Sequence, residues 1–197
     1  ARGQNFVGDP NTVRRVARLA SVGPGDHVVE IGAGLGSLTL ALVDTGASVT
    51  AIEVDHGLVR ALRETTEGRP VHIVEADALA LDWNTVLAAA QRWVLVANLP
   101  YNVATPLVGD LLDAVPAIER MVVMVQREVA DRLVARARSE AYGAVSVKVA
   151  YWATAKIVGK VPASVFLPQP KVESALVEIT RRATPAVDPA WVTADEL

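Results

Sequence analysis

The sequence contains no cysteine. That excludes disulfides, thiolate metal sites and a cysteine nucleophile. Histidine is also scarce. His27, His56 and His72 fall near separate strand-like runs, and no two have ligand spacing. A metal-free protein is therefore expected. There is no apolar run of about 18 residues, the length a membrane helix needs. No basic-then-apolar segment of the secretory type opens the chain. Together these absences lead us to expect a cytoplasmic protein without a membrane partner. Aromatic residues make up only 5% of the chain, with two Phe and three Tyr, so each one near a motif carries weight.

What is present fits one ordinary domain with a full core. The chain has 197 residues, 51% hydrophobic and 21% charged, with a net charge of −3. The charge is uneven. Residues 120–182 hold eleven bases and five acids, a local excess of +6. A basic second half beside an acidic first half is compatible with a phosphate-binding face, although such runs are usually solvated helix surface.

Apolar runs alternate with amphipathic stretches, the pattern of an α/β protein with a parallel sheet. Strands are expected at His27–Ile31, Ser48–Val54, Val71–Val74, Trp93–Ala97 and Arg120–Val125. Helices are expected at Asn11–Ala20, where Asp9 caps and Pro10 takes the first position, and at Ser37–Thr45, His56–Thr65, Asn84–Gln91, Thr105–Ala114 and Arg127–Arg138. Ala144–Trp152 alternates and is rich in Val, so its local pattern reads as strand. Lys156–Val161 and Ala175–Thr180 read as two late strands, joined by a Pro-rich loop, added at one sheet edge.

Asn98-Leu99-Pro100-Tyr101 ends the fourth of the main strands, where open α/β sheets place their chemistry. The Asn carbonyl can accept a hydrogen bond, Pro stiffens the turn and Tyr presents a flat ring. Such a turn suits an exocyclic amine, for instance N6 of adenine, held beneath a stacked ring. It also suits a plain strand-to-loop turn. The stretch from Glu30 to Gly36 follows the first main strand, with glycines at 32, 34 and 36. Closely spaced glycines admit a ligand to the backbone, and the next helix offers amide donors. The G-x-G-x-G spacing differs from the dinucleotide G-x-G-x-x-G and suits a smaller nucleoside ligand such as S-adenosylmethionine. Glu53, at the end of the second strand, can accept both hydroxyls of a ribose, with Asp55 the competing acid. Asp77, followed by Ala78, can accept from an adenine amino group. Phe166, in a loop with Pro168 and Pro170, could stack on a flipped base, with Lys171 near phosphate.

Taken in order, these segments resemble the rRNA adenine N6-dimethyltransferase family. The match runs from Gln4-Asn5-Phe6 through Glu30 to Gly36, Ile52-Glu53-Val54-Asp55, Asp77-Ala78-Leu79 and Asn98 to Tyr101. It ends in Phe166-x-Pro-x-Pro-Lys-Val-x-Ser174. Val125 to Leu133 and Ala141-Tyr142-Gly143 are similar to the KsgA type, which dimethylates two adjacent adenosines near the 3′ end of small-subunit (16S) rRNA.

The resemblance implies a Rossmann-like class I S-adenosylmethionine-dependent methyltransferase, with a seven-stranded, mostly parallel sheet and one antiparallel strand. It implies that part of Tyr142–Trp152 is helical, against the local reading. It implies a cofactor site lined by Gln4, Asn5, Val7, Gly32, Gly34, Glu53, Asp77, Ala78 and Asn98. The target adenine would be held by Asn98, Leu99 and Pro100 and clamped between Tyr101 and Phe166. The implied partner is the small-subunit rRNA within the 30S particle, met by a monomer.

Three departures stand out. Only three residues precede Gln4, where the family usually carries a basic extension. Val7 replaces a more familiar Leu. A helical C-terminal domain normally follows, so residues 1–182 are expected to be the catalytic domain and 183–197 the start of a domain otherwise absent. Its loss bears on rRNA docking rather than cofactor binding. The competing readings are a large-subunit (23S) rRNA methyltransferase conferring macrolide resistance and a non-catalytic ribosome-assembly factor. A DNA adenine methyltransferase would need a target-recognition domain, and an NAD-dependent oxidoreductase has no use for Asp77.

Overall fold

Hydrophobic runs buried on both faces build the centre of the molecule, as parallel sheets require. The computed structural model describes residues 6–187. Its strands are β1 (Phe6–Val7), β2 (His27–Ile31), β3 (Ser48–Glu53), β4 (Val71–Glu75), β5 (Trp93–Asn98), β6 (Ile118–Gln126), β7 (Ala153–Val161), β8 (Phe166–Leu167) and β9 (Ser174–Arg181). Seven of them form one sheet in the order β4-β3-β2-β5-β6-β9-β7. β9 runs antiparallel to both neighbours, and the other pairings are parallel. The two late strands do form an antiparallel pair. However, β9 inserts between β6 and β7, which leaves β7 at the edge.

The helices are α1 (Pro10–Ala20), α2 (Ser37–Val43), α3 (His56–Thr65), α4 (Trp83–Val86), α5 (Tyr101–Ala114), α6 (Arg127–Leu133) and α7 (Ala144–Trp152). They sandwich the sheet. On one face Val28, Val96, Val122, Met124 and Leu176 pack with α1 and α2. On the other, Val29, Leu95, Val123 and Val177 pack with α5, α6 and α7. Alternate residues of one strand thus feed two separate cores. Asp9 caps α1 through both carboxylate oxygens, to Asn11 N at 3.2 Å and Thr12 N at 2.8 Å, with Pro10 in the first turn.

Four local readings are corrected. Ala144–Trp152 is helix α7, not strand. Val145, Val147 and Val149 alternate, but Val145, Val149 and Trp152 also repeat at helical spacing. Packing decides between the two. Val145 and Val149 enter the core, the Ser146 hydroxyl donates to Arg132 O at 2.6 Å, and Trp152 Nε1 donates to Asp113 of α5 at 2.6 Å. The helix expected over Asn84–Gln91 is the single turn α4, capped by Asp82, whose carboxylate accepts from Thr85 N. α5 begins at Tyr101 rather than Thr105, with Pro100 as its N-cap and Pro106 tolerated inside. α6 stops at Leu133, and Arg136 and Arg138 fall in the turns beyond it.

No local pattern announces the small sheet that joins the start of the described chain to the late Pro-rich loop. β1 pairs antiparallel with β8, Phe6 opposite Leu167 and Val7 opposite Phe166. Gln4, Asn5 and residues 188–197 lie outside the described residues. Among the described residues, no helix is long and apolar enough to cross a membrane.

Candidate active site

Register sets the site. Ile31 of β2 pairs with Ile52 of β3 and with Ala97 of β5. Gly32, Glu53 and Asn98 therefore each stand one residue beyond the same rung, at the carboxyl ends of three adjacent strands. The chain passes outward from β2 to β3 and β4, then returns to β5 on β2's other side. This reversal is the topological switch point where open α/β sheets bind ligands. A cleft of about 680 Å³ opens there.

One half of the cleft is built on β2, β3 and β4. Gly32 (φ +74°) and Gly34 (φ +58°) turn the chain sharply after β2. At Gly34 a side chain is excluded twice over. The left-handed φ disfavours it, and a Cβ would lie 3.0 Å from the Phe6 ring. The Gly34 amide donates to Glu53 Oε2 at 2.9 Å, while Glu53 Oε1 accepts from Val54 N at 2.9 Å and Asp55 N at 3.0 Å. Glu53 is only 4% exposed. Asp55 is committed elsewhere: its carboxylate caps α3, accepting from Gly57 N and Leu58 N, and it does not line the cleft. Asp77 lines the cleft, exposed, with Oδ1 accepting from Leu79 N at 3.0 Å, and Ala78 is buried beside it.

Beneath the glycine turn, Glu30 is 1% exposed and accepts the Thr39 hydroxyl at 2.6 Å. Burial, with a smaller contribution from the Glu53 charge, pushes its carboxyl up from the usual 4.5 to about 8, against the Thr39 bond.

The other half of the cleft is built on β5, β6 and β9. Asn98 is half-buried at the end of β5. The Leu99 amide donates to Met124 O at 3.0 Å, which pins the turn to β6, and Pro100 O then receives the first helical bonds of α5, from Val103 and Ala104. Phe166 belongs to the α1-side core and is 2% exposed, yet it also lines the cleft. It is both a core residue and a wall of the cleft.

The structure thus brings together Gly32, Gly34, Glu53, Asp77, Ala78, Asn98, Leu99, Pro100 and Phe166. Val7 does not join them. Strand alternation turns it onto the α1-side core, and Phe6 lines the cleft in its place. Gln4, Asn5 and the Tyr101 side chain are outside what is described. Sequence reasoning missed Phe6, Gln126 and Ser174 as cleft residues. Gln126 could have been found by the rule that found Asn98, since it too closes an apolar strand.

Much of the basic second half is spent internally. Arg127, Arg132, Lys148, Lys156 and Arg120 pair with acids, and Arg181 and Arg182 bind backbone carbonyls. Among the described residues, Arg136, Arg138, Lys160 and Lys171 form no ion pair. Lys171 is exposed and stands beside cleft residue Pro170.

The ribosomal RNA adenine dimethylase family matches residues 1–193. The chain belongs to that family. A relative from Cutibacterium acnes, called ribosomal RNA small subunit methyltransferase A, is 51% identical over 193 residues, covering 95% of this chain and 64% of its own length. The chain spans about two thirds of the length of such curated relatives, 64% and 66% in two of them. Two solved structures superpose well. The 23S rRNA methyltransferase ErmE has a TM-score of 0.79 at 33% identity, over 94% of this chain and 73% of that one. A dimethyladenosine transferase from Plasmodium falciparum has a TM-score of 0.81 at 25% identity, over 96% of this chain and 66% of that one. The fold is that of a class I methyltransferase, and the one antiparallel strand of its seven-stranded sheet is β9.

Proposed function

We propose that the chain is the catalytic part of an enzyme that dimethylates N6 of two adjacent adenosines near the 3′ end of small-subunit (16S) rRNA, using S-adenosylmethionine. This would serve small-subunit biogenesis. The observation that carries the reading is one cleft that joins a glycine-and-carboxylate half to a half built on Asn98 and closed by Phe166. The relative named for the small subunit, at 51% identity, favours that substrate over the large-subunit one of ErmE, at 33%.

The residues present fit the cofactor. Gly34 keeps the turn free of a Cβ, and Glu53 and Asp77 present carboxylates at the ends of β3 and β4. Glu53 already accepts three amides, which fixes its orientation and leaves acceptor capacity on Oε2 for a ribose hydroxyl. Asp77 would accept from the adenine amino group, beside Ala78. Bound there, S-adenosylmethionine supplies a methyl group activated by its sulfonium.

On the other side the chain's task is to hold a poor nucleophile. The N6 lone pair of adenine is delocalised into the ring. Acceptance of the N6–H bonds by the Asn98 side-chain oxygen and the Leu99 carbonyl favours a pyramidal nitrogen whose lone pair faces the methyl. Phe166 and Tyr101 hold the flipped base. No strong general base is needed, because the departing proton becomes acidic as the new bond forms. Positioning and preorganised acceptors carry the rate. A cytoplasmic monomer that uses no metal and docks on the 30S particle completes the proposal. The catalytic domain would span 1–182 and residues 183–197 would begin a further helical domain.

The test is transfer of labelled methyl to undermethylated small and large ribosomal particles in parallel, with the product nucleoside identified. N6,N6-dimethyladenosine in the small-subunit RNA is expected. Label confined to large-subunit RNA would make it a resistance-type enzyme. Cofactor binding without transfer to either would favour an assembly factor.

A further inference from the structure

Gln126 closes β6, and Ser174 opens β9. They are direct partners in the antiparallel ladder, so both side chains leave the sheet on the same face. That face is the one carrying Met124, Leu176 and Phe166. Asn98 is on it too. It continues the alternation of Val94 and Val96, and its rung partner on β6 is Met124, two residues before Gln126. Asn98 therefore stands diagonal to the Gln126–Ser174 rung, two residues down on the same face, and all three line the cleft.

Among the described residues, two of the three side chains make no hydrogen bond. Gln126 occupies the N-cap position of α6, yet its side chain makes no capping bond. Among the described residues neither its carboxamide nor the Ser174 hydroxyl makes any hydrogen bond, and neither is an entombed unsatisfied group. Ser174 is only 8% exposed and Gln126 is half-buried. A polar group in such a place must find a partner whenever a ligand expels water from the cleft, or the ligand loses affinity. Both groups can donate, through a carboxamide N–H and a hydroxyl O–H, as well as accept, and donation is the role left beside the acceptors assigned at Asn98 and Leu99.

We infer that Gln126, with Ser174 beside it, reads the ring-nitrogen edge of the target adenine, donating to N1 or N7, the two acceptors that flank N6. This rests on the proposed adenine N6 chemistry and adds a specificity residue to it. Asn98 and Leu99 test for the amino group. Gln126 tests that an acceptor stands next to it, which at the N1 position guanine, with N1–H, fails. A site built to pair a ring nitrogen discriminates because its own polar group is stranded by the wrong base.

The experiment uses small-subunit particles reconstituted with a synthetic 3′ segment carrying adenine, 1-deazaadenine or 7-deazaadenine at the target. Methyl transfer is compared for the wild-type chain, Gln126→Ala, the isosteric Gln126→Glu and Ser174→Ala. Cofactor affinity reports on folding. Loss of one neutral hydrogen bond predicts a fall of about fivefold to tenfold in kcat/KM on adenine for Gln126→Ala, a larger fall for Gln126→Glu, whose carboxylate faces the ring-nitrogen lone pair, and a smaller fall for Ser174→Ala. On one of the two deaza targets Gln126→Ala should equal the wild type, because the acceptor it would miss is already gone. Equal penalties on all three targets, or no penalty on adenine, would overturn the assignment while leaving the methyltransferase reading intact. A wild-type chain inactive on unmodified adenine would overturn that reading, and this inference with it.

Discussion

The Glu53 carboxylate and the Gly34 amide meet at 2.9 Å, and this bond ties the end of β3 to the turn that follows β2. Glu53 is thus both an organiser of the glycine turn and a candidate cofactor contact. Replacing it by Ala removes the acceptor of three amides at once. Hydrogen bonds to a charged group are worth about 1.5–3 kcal/mol each, so cofactor affinity should fall roughly tenfold or more by calorimetry. Asp55→Ala is the control. It removes the α3 cap, which costs about 1 kcal/mol of stability, but should leave affinity unchanged. If the Asp55 variant lost affinity and the Glu53 variant did not, the ribose contact would belong to Asp55.

Asn98→Ala should abolish transfer without unfolding the chain. The residue is half-buried at a strand end rather than in either core, and the backbone bond that pins the turn comes from Leu99. Loss of a preorganised polar group at a reacting centre costs on the order of 100-fold or more in rate. Single-turnover transfer measures this, with calorimetric cofactor binding close to wild type as the companion result. Methylation at the wild-type rate would remove Asn98 from the mechanism.

How much of this was legible follows from the range of each signal. The main strands and the glycine turn are local: apolar runs end in Gly32, Glu53 and Asn98, and the structure keeps those ends at one level. Helix α7 was not legible locally, since valines at alternate positions satisfy strand and helix templates together. Asp113, 35 and 39 residues before Lys148 and Trp152, holds both. The β1–β8 pair was invisible for the same reason. Phe6 and Leu167 meet only because the fold returns the late loop to the start of the chain. The charge excess misled in its own way, because a count of bases does not say that Arg181 is turned inward.

Arg181 deserves a test on that account. Its guanidinium donates to the carbonyls of Leu111, Leu112, Val115 and Ile118 at 2.9–3.2 Å and lies 5.9 Å from the Trp152 ring centre. It closes the C-terminal end of α5, the helix whose first residue is Tyr101, and so satisfies carbonyls that a helix end leaves unpaired. Arg181→Leu keeps most of the packing volume but removes the guanidinium donors from Leu112 O and Ile118 O, while Leu111 O and Val115 O keep the amides of Val115 and Ile118. We expect a loss of about 2 kcal/mol or more in denaturant unfolding. Lys at this position cannot span four carbonyls and should recover only part of it. A full-strength Leu variant would mean that water replaces the guanidinium at little cost.

Glu30 makes a prediction about pH whose sign can be worked out. Its carboxyl is raised to about 8 in the folded chain, against the usual 4.5. Between those values the folded state holds a proton that the unfolded state has released. Stability from this group is then fully present below about 4.5, falls as pH rises, and levels off above about 8. The direction is opposite to that of a carboxylate in a salt bridge. Each pKa unit corresponds to about 1.4 kcal/mol, so the fall amounts to a few kcal/mol across the window. Glu30→Gln keeps an acceptor for the Thr39 hydroxyl but cannot ionise. Its unfolding free energy, measured by urea titration from pH 5 to 8.5, should lose most of the downward slope seen in the wild type. The two proteins should diverge most at the alkaline end, where the wild type must bury a charge or unfold. Parallel pH profiles would mean that water or the nearby Glu53 amide cluster relieves the buried carboxylate, and that Glu30 is ionised beneath the glycine turn.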